Sequence, residues 1–194
     1  MLELNGYEVI LASGSPRRKM FFEQLGIPFK IETFSVDESF PTGLEEVEIA
    51  KYIVTQKSLP FRKSVTSKKL IVTADTIVWC ENQYLGKPKD LEQAKEMLAF
   101  LSGKSHKVIT SVGFLTHKVF EILSETTIVH FKKLSSDEIS HYINSQPPLD
   151  KAGAYGIQDW IGEIGITKIE GSYTNVVGLP LAQVKEHIKL LTQK

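Results

Sequence analysis

Apolar residues along this chain follow two periods. Val9-Ile10-Leu11 is a short unbroken run of β-formers, and Phe29 to Phe34 alternates apolar with polar, so both predict strands. Leu70 to Trp79 is almost continuously apolar, as in a strand covered on both faces, with Asp75 as its interruption. His106 to Thr116 and Val119 to Phe131 predict a long antiparallel pair, and Ile164 to Ile169 a further strand. Between these lie helical patterns. Leu44 to Ser58 sets Leu44, Val47, Ala50, Ile53 and Val54 on one stripe. Asp90 with Gln93, and Ser135 with Glu138, are capping-box starts of helices running to Leu101 and to about Asn144. A last helix starts near Pro180, with Leu181, Val184, Ile188 and Leu191 on one face.

Five places break this pattern with charge or glycine. Ala12-Ser13-Gly14-Ser15-Pro16-Arg17-Arg18 follows the first strand and opens a helix closed by Gly26. Ser15 suits the N-cap and Pro16 the first helical position. Arg17 and Arg18 then fall in the first turn, where the helix dipole disfavours cations. Either they are solvated on a surface helix, or an anion such as a phosphate chain binds among them. Lys57 falls on the apolar stripe of its helix, so it either snorkels at the edge or points into a cleft. Asp75, flanked by apolar β-formers, demands a partner or a metal if buried. Lys87 sits in the tight loop Tyr84 to Pro88, and Asp150 to Asp159 is rich in glycine and small residues without the spacing of a P-loop.

Composition narrows the classes. The 194 residues carry 23 Lys plus Arg against 23 Asp plus Glu, a net charge of zero, so no global field points to nucleic acid or to an acidic membrane. The single cysteine, Cys80, excludes an intrachain disulfide and fits a reducing cytosol. The five histidines lack zinc-type spacing. No apolar run is long enough to span a bilayer, and the first residues lack the features of a signal peptide, so a cytoplasmic protein is expected.

The cations Arg17, Arg18, Lys57 and Lys87 and the carboxylates Asp37, Glu38 and Asp75 suit phosphoanhydride chemistry on a nucleotide: cations neutralise polyphosphate, and carboxylates hold a hard divalent ion or activate water. In order, the segments ILASGSPRR (Ile10–Arg18), VDES (Val36–Ser39), QKS (Gln56–Ser58), ADTIV (Ala74–Val78), LGKPKD (Leu85–Asp90), LSGKSH (Leu101–His106), DKAGAYGIQD (Asp150–Asp159) and IEGSYTNVVGLPL (Ile169–Leu181) resemble the Maf family of nucleoside triphosphate pyrophosphatases. The resemblance covers essentially the whole chain.

It implies a single Maf-like domain over residues 1–194, of α/β class. Its sheet would be elongated, mixed and bent, with flanking helices and two lobes around a cleft, similar to the inosine-triphosphate pyrophosphatase architecture. It implies cleavage of a nucleoside triphosphate to monophosphate and pyrophosphate with a divalent cation, Mg²⁺ or Mn²⁺, and a homodimer. Asp75 matches the family's proton acceptor. Arg17, Thr76 and Gln158 match positions linked to substrate choice, Arg18, Lys57 and Lys87 match phosphate-holding positions, and Ser13 belongs to the same substrate-binding set. Asp37 matches an acidic cleft position, so Asp75 with Asp37 is the expected metal pair. The SPRR, ADT and GAYGIQ forms resemble the branch acting on dTTP and UTP, with modified pyrimidine nucleotides as further candidates. Two departures stand out: Asp159 follows Gln158 where the branch usually has glycine, and Ser58-Leu59-Pro60 stands where an Ala-rich helix end is usual. A non-catalytic nucleotide-binding regulator of cell division is the alternative from another class.

Overall fold

A computed structural model describes residues 2–193. Its elements are β1 (Glu8–Leu11), α1 (Pro16–Gln24), β2 (Phe29–Ile31), α2 (Glu46–Ser58), β3 (Lys69–Cys80), β4 (Gln83–Leu85), α3 (Leu91–Leu101), β5 (Ser105–Leu115), β6 (Phe120–Phe131), α4 (Ser136–Ser145), α5 (Trp160–Gly165), β7 (Ile166–Glu170), α6 (Tyr173–Val177) and α7 (Leu181–Thr192). The strands hydrogen-bond in the order β2-β1-β3-β5-β6-β7, with β4 paired to β3. β1 is parallel to both β2 and β3, whereas β4 is antiparallel to β3 and β7 antiparallel to β6, so the sheet is mixed.

Contacts divide the chain into two compact units. One holds the chain up to Asp75, Thr110–Glu125 and the chain from Gly178; the other holds Thr76–Ile109 and Thr126–Val177. The division therefore falls inside the three long strands, and within β3 it falls between Asp75 and Thr76.

In the first unit, Val9, Ile10 and Leu11 are at most 1% exposed, because a strand with neighbours on both edges and cover on both faces retains no wet side. α2 buries Ile49, Ala50, Ile53 and Val54, and α7 buries Val184, Ile188 and Leu191, as their apolar stripes require. Ile10, Phe61, Ile71 and Leu115 form one core cluster, with Ala12, Val65 and Phe120 packed against it. A Cβ on Gly113 of β5 would meet Thr73 Oγ1 and Val54 Cγ1 at 2.7 Å, so this strand lets α2 approach only because the residue is glycine.

In the second unit, α3 packs on α4. Asp90 caps α3 by accepting from Gln93 N (2.8 Å), and Ser135 with Glu138 forms a reciprocal capping box on α4. Phe131, Tyr155 and His106 make a buried aromatic group with centroids 4.9 to 5.4 Å apart.

The structure departs from the sequence pattern at several points, and the helix expected from Leu44 begins at Glu46. The strand expected over Phe29–Phe34 stops at Ile31, because Ile31 pairs with Leu11, where β1 ends. The strand expected from Ile164 begins at Ile166, since Ile164 and Gly165 close the short helix α5. α6, like α5, is too short to show a helical period. Leu59-Pro60-Phe61, in the unusual segment after Lys57, forms a 3-10 turn that buries Phe61.

Candidate active site

β1 is followed by α1 and then by β2 on one side of it, while α2 leads back to β3 on the other. The connection that leaves β1 thus goes to one side of it, and the one that leaves β2 crosses to the other. In open α/β sheets such a switch point, outside the carboxyl ends of parallel strands, is where ligands bind. Ala12 to Ser15 is the loop at this end of β1. Leu11 pairs with Val72, and Ala12 N donates to Val72 O, so β3 runs on past the end of β1. The residues it carries there are Thr73, Ala74 and Asp75.

Asp75 is 8% exposed. Its Oδ1 accepts a hydrogen bond from Lys57 Nζ at 2.7 Å, and Lys57 Nζ also lies 2.9 Å from Glu38 Oε1. The Lys57 side chain retains only 16% exposure. It therefore points inward from the last turn of α2 to hold two carboxylates, and does not snorkel. A buried carboxylate needs such a partner.

The two arginines of α1 part company. Arg18 Nε donates to Gly178 O (3.0 Å), and Nη1 donates to Ala74 O (3.0 Å) and to Ser13 Oγ (3.3 Å). One guanidinium fork thus joins the loop after β1, the strand residue before Asp75 and the backbone before α7. Burial is the largest influence on the Arg18 guanidinium and lowers its pKa, while the charge of Asp75 opposes that fall. Arg17 is half-buried beside it, in the first turn of α1. Ser15 takes the N-cap position expected of it, but its side chain makes no cap; its N–H donates to Ser13 Oγ (3.3 Å), so buried Ser13 organises the loop.

The acidic pair of the VDES segment also divides. Asp37 turns back on its own loop, accepting from Ser39 N (2.9 Å) and Ser39 Oγ (2.8 Å), and these bonds hold its pKa below the usual carboxylate range. Glu38, the next residue, reaches Lys57. The resemblance implies Asp37 as the partner of Asp75, whereas Glu38 is the acid seen on the cation that holds Asp75. Adjacent acids in an irregular loop offer no period from which to choose between them.

Among the described residues, no group of three or more His, Cys, Asp or Glu side chains could enclose a metal ion. Asp75 and Glu38 around one ammonium are nevertheless a donor set of the kind Mg²⁺ uses. That ion is commonly held by one or two carboxylates, with water and substrate phosphate completing the shell.

Thr76, Lys87 and Gln158 belong to the second unit. Thr76 follows Asp75 on β3 and is half-buried. Lys87 is exposed in the loop between β4 and α3, next to Gly86, whose carbonyl accepts from Gly153 N (3.1 Å). Gln158 is exposed at the corner of a turn whose preceding residues, Gly156 and Ile157, are buried. Asp159 does not project freely beside it: its Oδ2 accepts from Tyr142 Oη at 2.7 Å and lies 3.5 Å from Lys151 Nζ. Tyr142 has no charge or motif to mark it in the sequence and reads there only as an apolar face residue of α4.

Comparison with known proteins shows what the chain is similar to. The chain is 47% identical over 189 residues to a dTTP/UTP pyrophosphatase of Flavobacterium johnsoniae, covering 97% of both chains. It is 48% identical over 186 residues to the protein of that name from Christiangramia forsetii, covering 96% of this chain and 95% of the other. To the protein of that name from Bacteroides fragilis it is 43% identical over 192 residues, covering 98% of this chain and all of the other. Among solved structures, the likeness to the Staphylococcus aureus Ham1 protein is remote, at 14% identity over 64% of this chain and 71% of that one, with a TM-score of 0.47. The family model described as Maf-like protein matches residues 8–191, and the chain belongs to the Maf family.

Proposed function

We propose that the protein hydrolyses the α–β phosphoanhydride of nucleoside triphosphates, chiefly dTTP and UTP, to the monophosphate and pyrophosphate. The observation that carries this reading is the cluster of Lys57, Asp75, Glu38 and Arg18 beyond the carboxyl end of β1. Near-full-length similarity to proteins named dTTP/UTP pyrophosphatase supports the choice of nucleotide.

Phosphoryl transfer asks little covalent chemistry of a protein; it asks for an in-line nucleophile and for charge neutralisation. Asp75 is the general base that takes the proton of the water attacking the α-phosphorus. Lys57 keeps that carboxylate in place and offers an ammonium to the phosphates. Arg17 and Lys87 neutralise the β- and γ-phosphates, so that pyrophosphate departs as a stabilised anion, and Ser13 and Arg18 shape the phosphate loop. Thr76 and Gln158 contact the base. Asp75 with Glu38 would hold a divalent cation, Mg²⁺ or Mn²⁺. When bound, that ion supplies charge neutralisation on the phosphate oxygens. A single domain of two lobes, acting in the cytoplasm as a homodimer, belongs to the same proposal.

The test is a panel of common, methylated and pseudouridine triphosphates with Mg²⁺ or Mn²⁺, scored separately for pyrophosphate and orthophosphate. Pyrophosphate release, fastest from dTTP and UTP, is expected. Orthophosphate as the product would make the protein a phosphatase. No turnover with any nucleotide would leave a nucleotide-binding regulator.

A further inference from the structure

Gln158 is exposed although the loop residues before it, Gly153 to Ile157, are buried. The chain turns sharply here: Asp159 N donates to Gly156 O (3.1 Å), placing Ile157 and Gln158 at the corner. Tyr142 of α4 reaches this turn from below. Its hydroxyl donates to Asp159 Oδ2 (2.7 Å) and accepts from Gly156 N (3.2 Å), so one phenol oxygen bonds both ends of the turn. Tyr142 is fully buried, which fixes the position of that oxygen.

Two glycines make the arrangement sterically possible. A Cβ on Gly156 would stand 2.5 Å from Asp159 Oδ2, so the carboxylate can fold over the turn only because that residue is glycine. A Cβ on Gly162 would overlap the Ile157 carbonyl, so α5 too comes against the loop through a glycine. The peptide N–H groups of Gly162 and Glu163 donate to Asp159 O (2.9 and 3.1 Å) and tie the far side of the turn into α5. Lys151 Nζ, 3.5 Å from Asp159 Oδ2, balances the charge of the carboxylate.

We propose that Tyr142 and Asp159 are positioning residues for nucleobase recognition: by clamping the 156–159 turn they fix the point from which the Gln158 side chain leaves the backbone, so that its carboxamide can meet an imide-bearing pyrimidine, uracil or thymine. This rests on the reading of Gln158 as a base contact. A carboxamide carries one acceptor and one donor group, which match the N–H and adjacent carbonyl of an imide edge. Cytosine presents a different order of donors and acceptors there. A site built on hydrogen-bond pairing discriminates strongly only if its groups are held in place, because a mobile side chain pays its ordering entropy on binding and can re-pair with the wrong base. Asp159 thus recognises no base itself; its carboxylate is already engaged by Tyr142 and Lys151.

The experiment compares the wild type with Tyr142→Phe, Asp159→Ala, Asp159→Asn and the double variant Tyr142→Phe/Asp159→Ala. Each is assayed for kcat and KM with dTTP, UTP and CTP, and for affinity toward non-hydrolysable α,β-imido analogues of dUTP and dCTP. Tyr142→Phe keeps the packed ring, and Asp159→Asn keeps an acceptor for the phenol. The expected result for Tyr142→Phe and Asp159→Ala is a roughly tenfold loss in kcat/KM for dTTP and UTP, mostly in KM, with a matching loss of dUTP-analogue affinity. The values for the cytosine nucleotides should stay within about threefold. The double variant should lose no more than either single one, and Asp159→Asn should retain most of the discrimination. An unchanged ratio between uracil and cytosine nucleotides, even with a lowered melting temperature, overturns the proposal and leaves the clamp purely structural. A wild type that neither turns over nor binds any of these nucleotides overturns the functional reading, and the proposal with it.

Discussion

Lys57 Nζ lies 2.7 Å from Asp75 Oδ1, joining the last turn of α2 to the part of β3 that extends past the end of β1. Lys57 is eighteen residues before Asp75 in the sequence. The loop after α2 returns the chain to the sheet, and α2 lies against β3, where Thr73 Oγ1 donates to Val54 O (3.4 Å), so the two side chains meet. With Glu38 on the same ammonium, the base of the proposed reaction is held on one side by a cation that can itself meet phosphate.

Asp75→Asn separates charge from shape. The amide can still accept a hydrogen bond from Lys57 but cannot take a proton from water. Turnover should fall by at least about a hundredfold, the scale of a lost general base. Binding of a non-hydrolysable triphosphate should persist, and the fold should melt within a few degrees of the wild type. Activity within tenfold of the wild type would remove Asp75 from the base role.

Lys57→Met leaves Asp75 and Glu38 as uncompensated neighbours. Removing one member of a buried ion pair costs about 3–5 kcal/mol. Glu38 is 45% exposed, so solvent screens part of that cost, and a loss of about 2 kcal/mol in chemical denaturation is the expected figure. The double variant Lys57→Met/Asp75→Leu should recover part of it, because no lone buried carboxylate remains. Additive losses in the two single variants would show that the pair is not coupled.

Arg18→Lys keeps the charge but loses the fork that bonds Ala74 O and Gly178 O together. Hydrogen bonds from charged donors contribute about 1.5–3 kcal/mol each, so a drop in melting temperature together with reduced kcat/KM is expected. If Arg18 served phosphate alone, lysine would leave the melting temperature unchanged.

His106 makes stability depend on acid. It is 2% exposed, with Nε2 2.7 Å from Tyr155 Oη, and burial, aided by the charge of His130, pushes its pKa down from 6.5 to about 3. Below about pH 6.5 the unfolded chain takes up this proton while the folded one does not. The stability from neutral His106 is therefore complete above that pH and is lost as the pH falls toward 3, at about 1.4 kcal/mol per pH unit. Urea denaturation between about pH 7 and pH 5 should show a shallower decline for His106→Gln than for the wild type. Parallel declines would contradict the assignment.

Much of the architecture was legible in the chain. The long apolar run became β3, the Asp90 cap and the Ser135–Glu138 capping box opened α3 and α4, and the stripe of α7 turned inward, because period and caps are local properties. Elements of five or six residues, α5 and α6, have too few turns to display a period.

The sequence by itself marked the candidate side chains, two arginines at a helix start, a lysine on an apolar stripe and an aspartate inside a buried strand, and carried the eight-segment family resemblance. Only the tertiary structure decided what each one touches. It engaged Arg18 with backbone carbonyls from two distant segments and set Glu38, not Asp37, on Lys57. It also folded Asp159 onto Tyr142. Partner choice among like residues depends on distances closed by parallel strand register and by loops without period, and neither is encoded in the local alternation of apolar and polar positions.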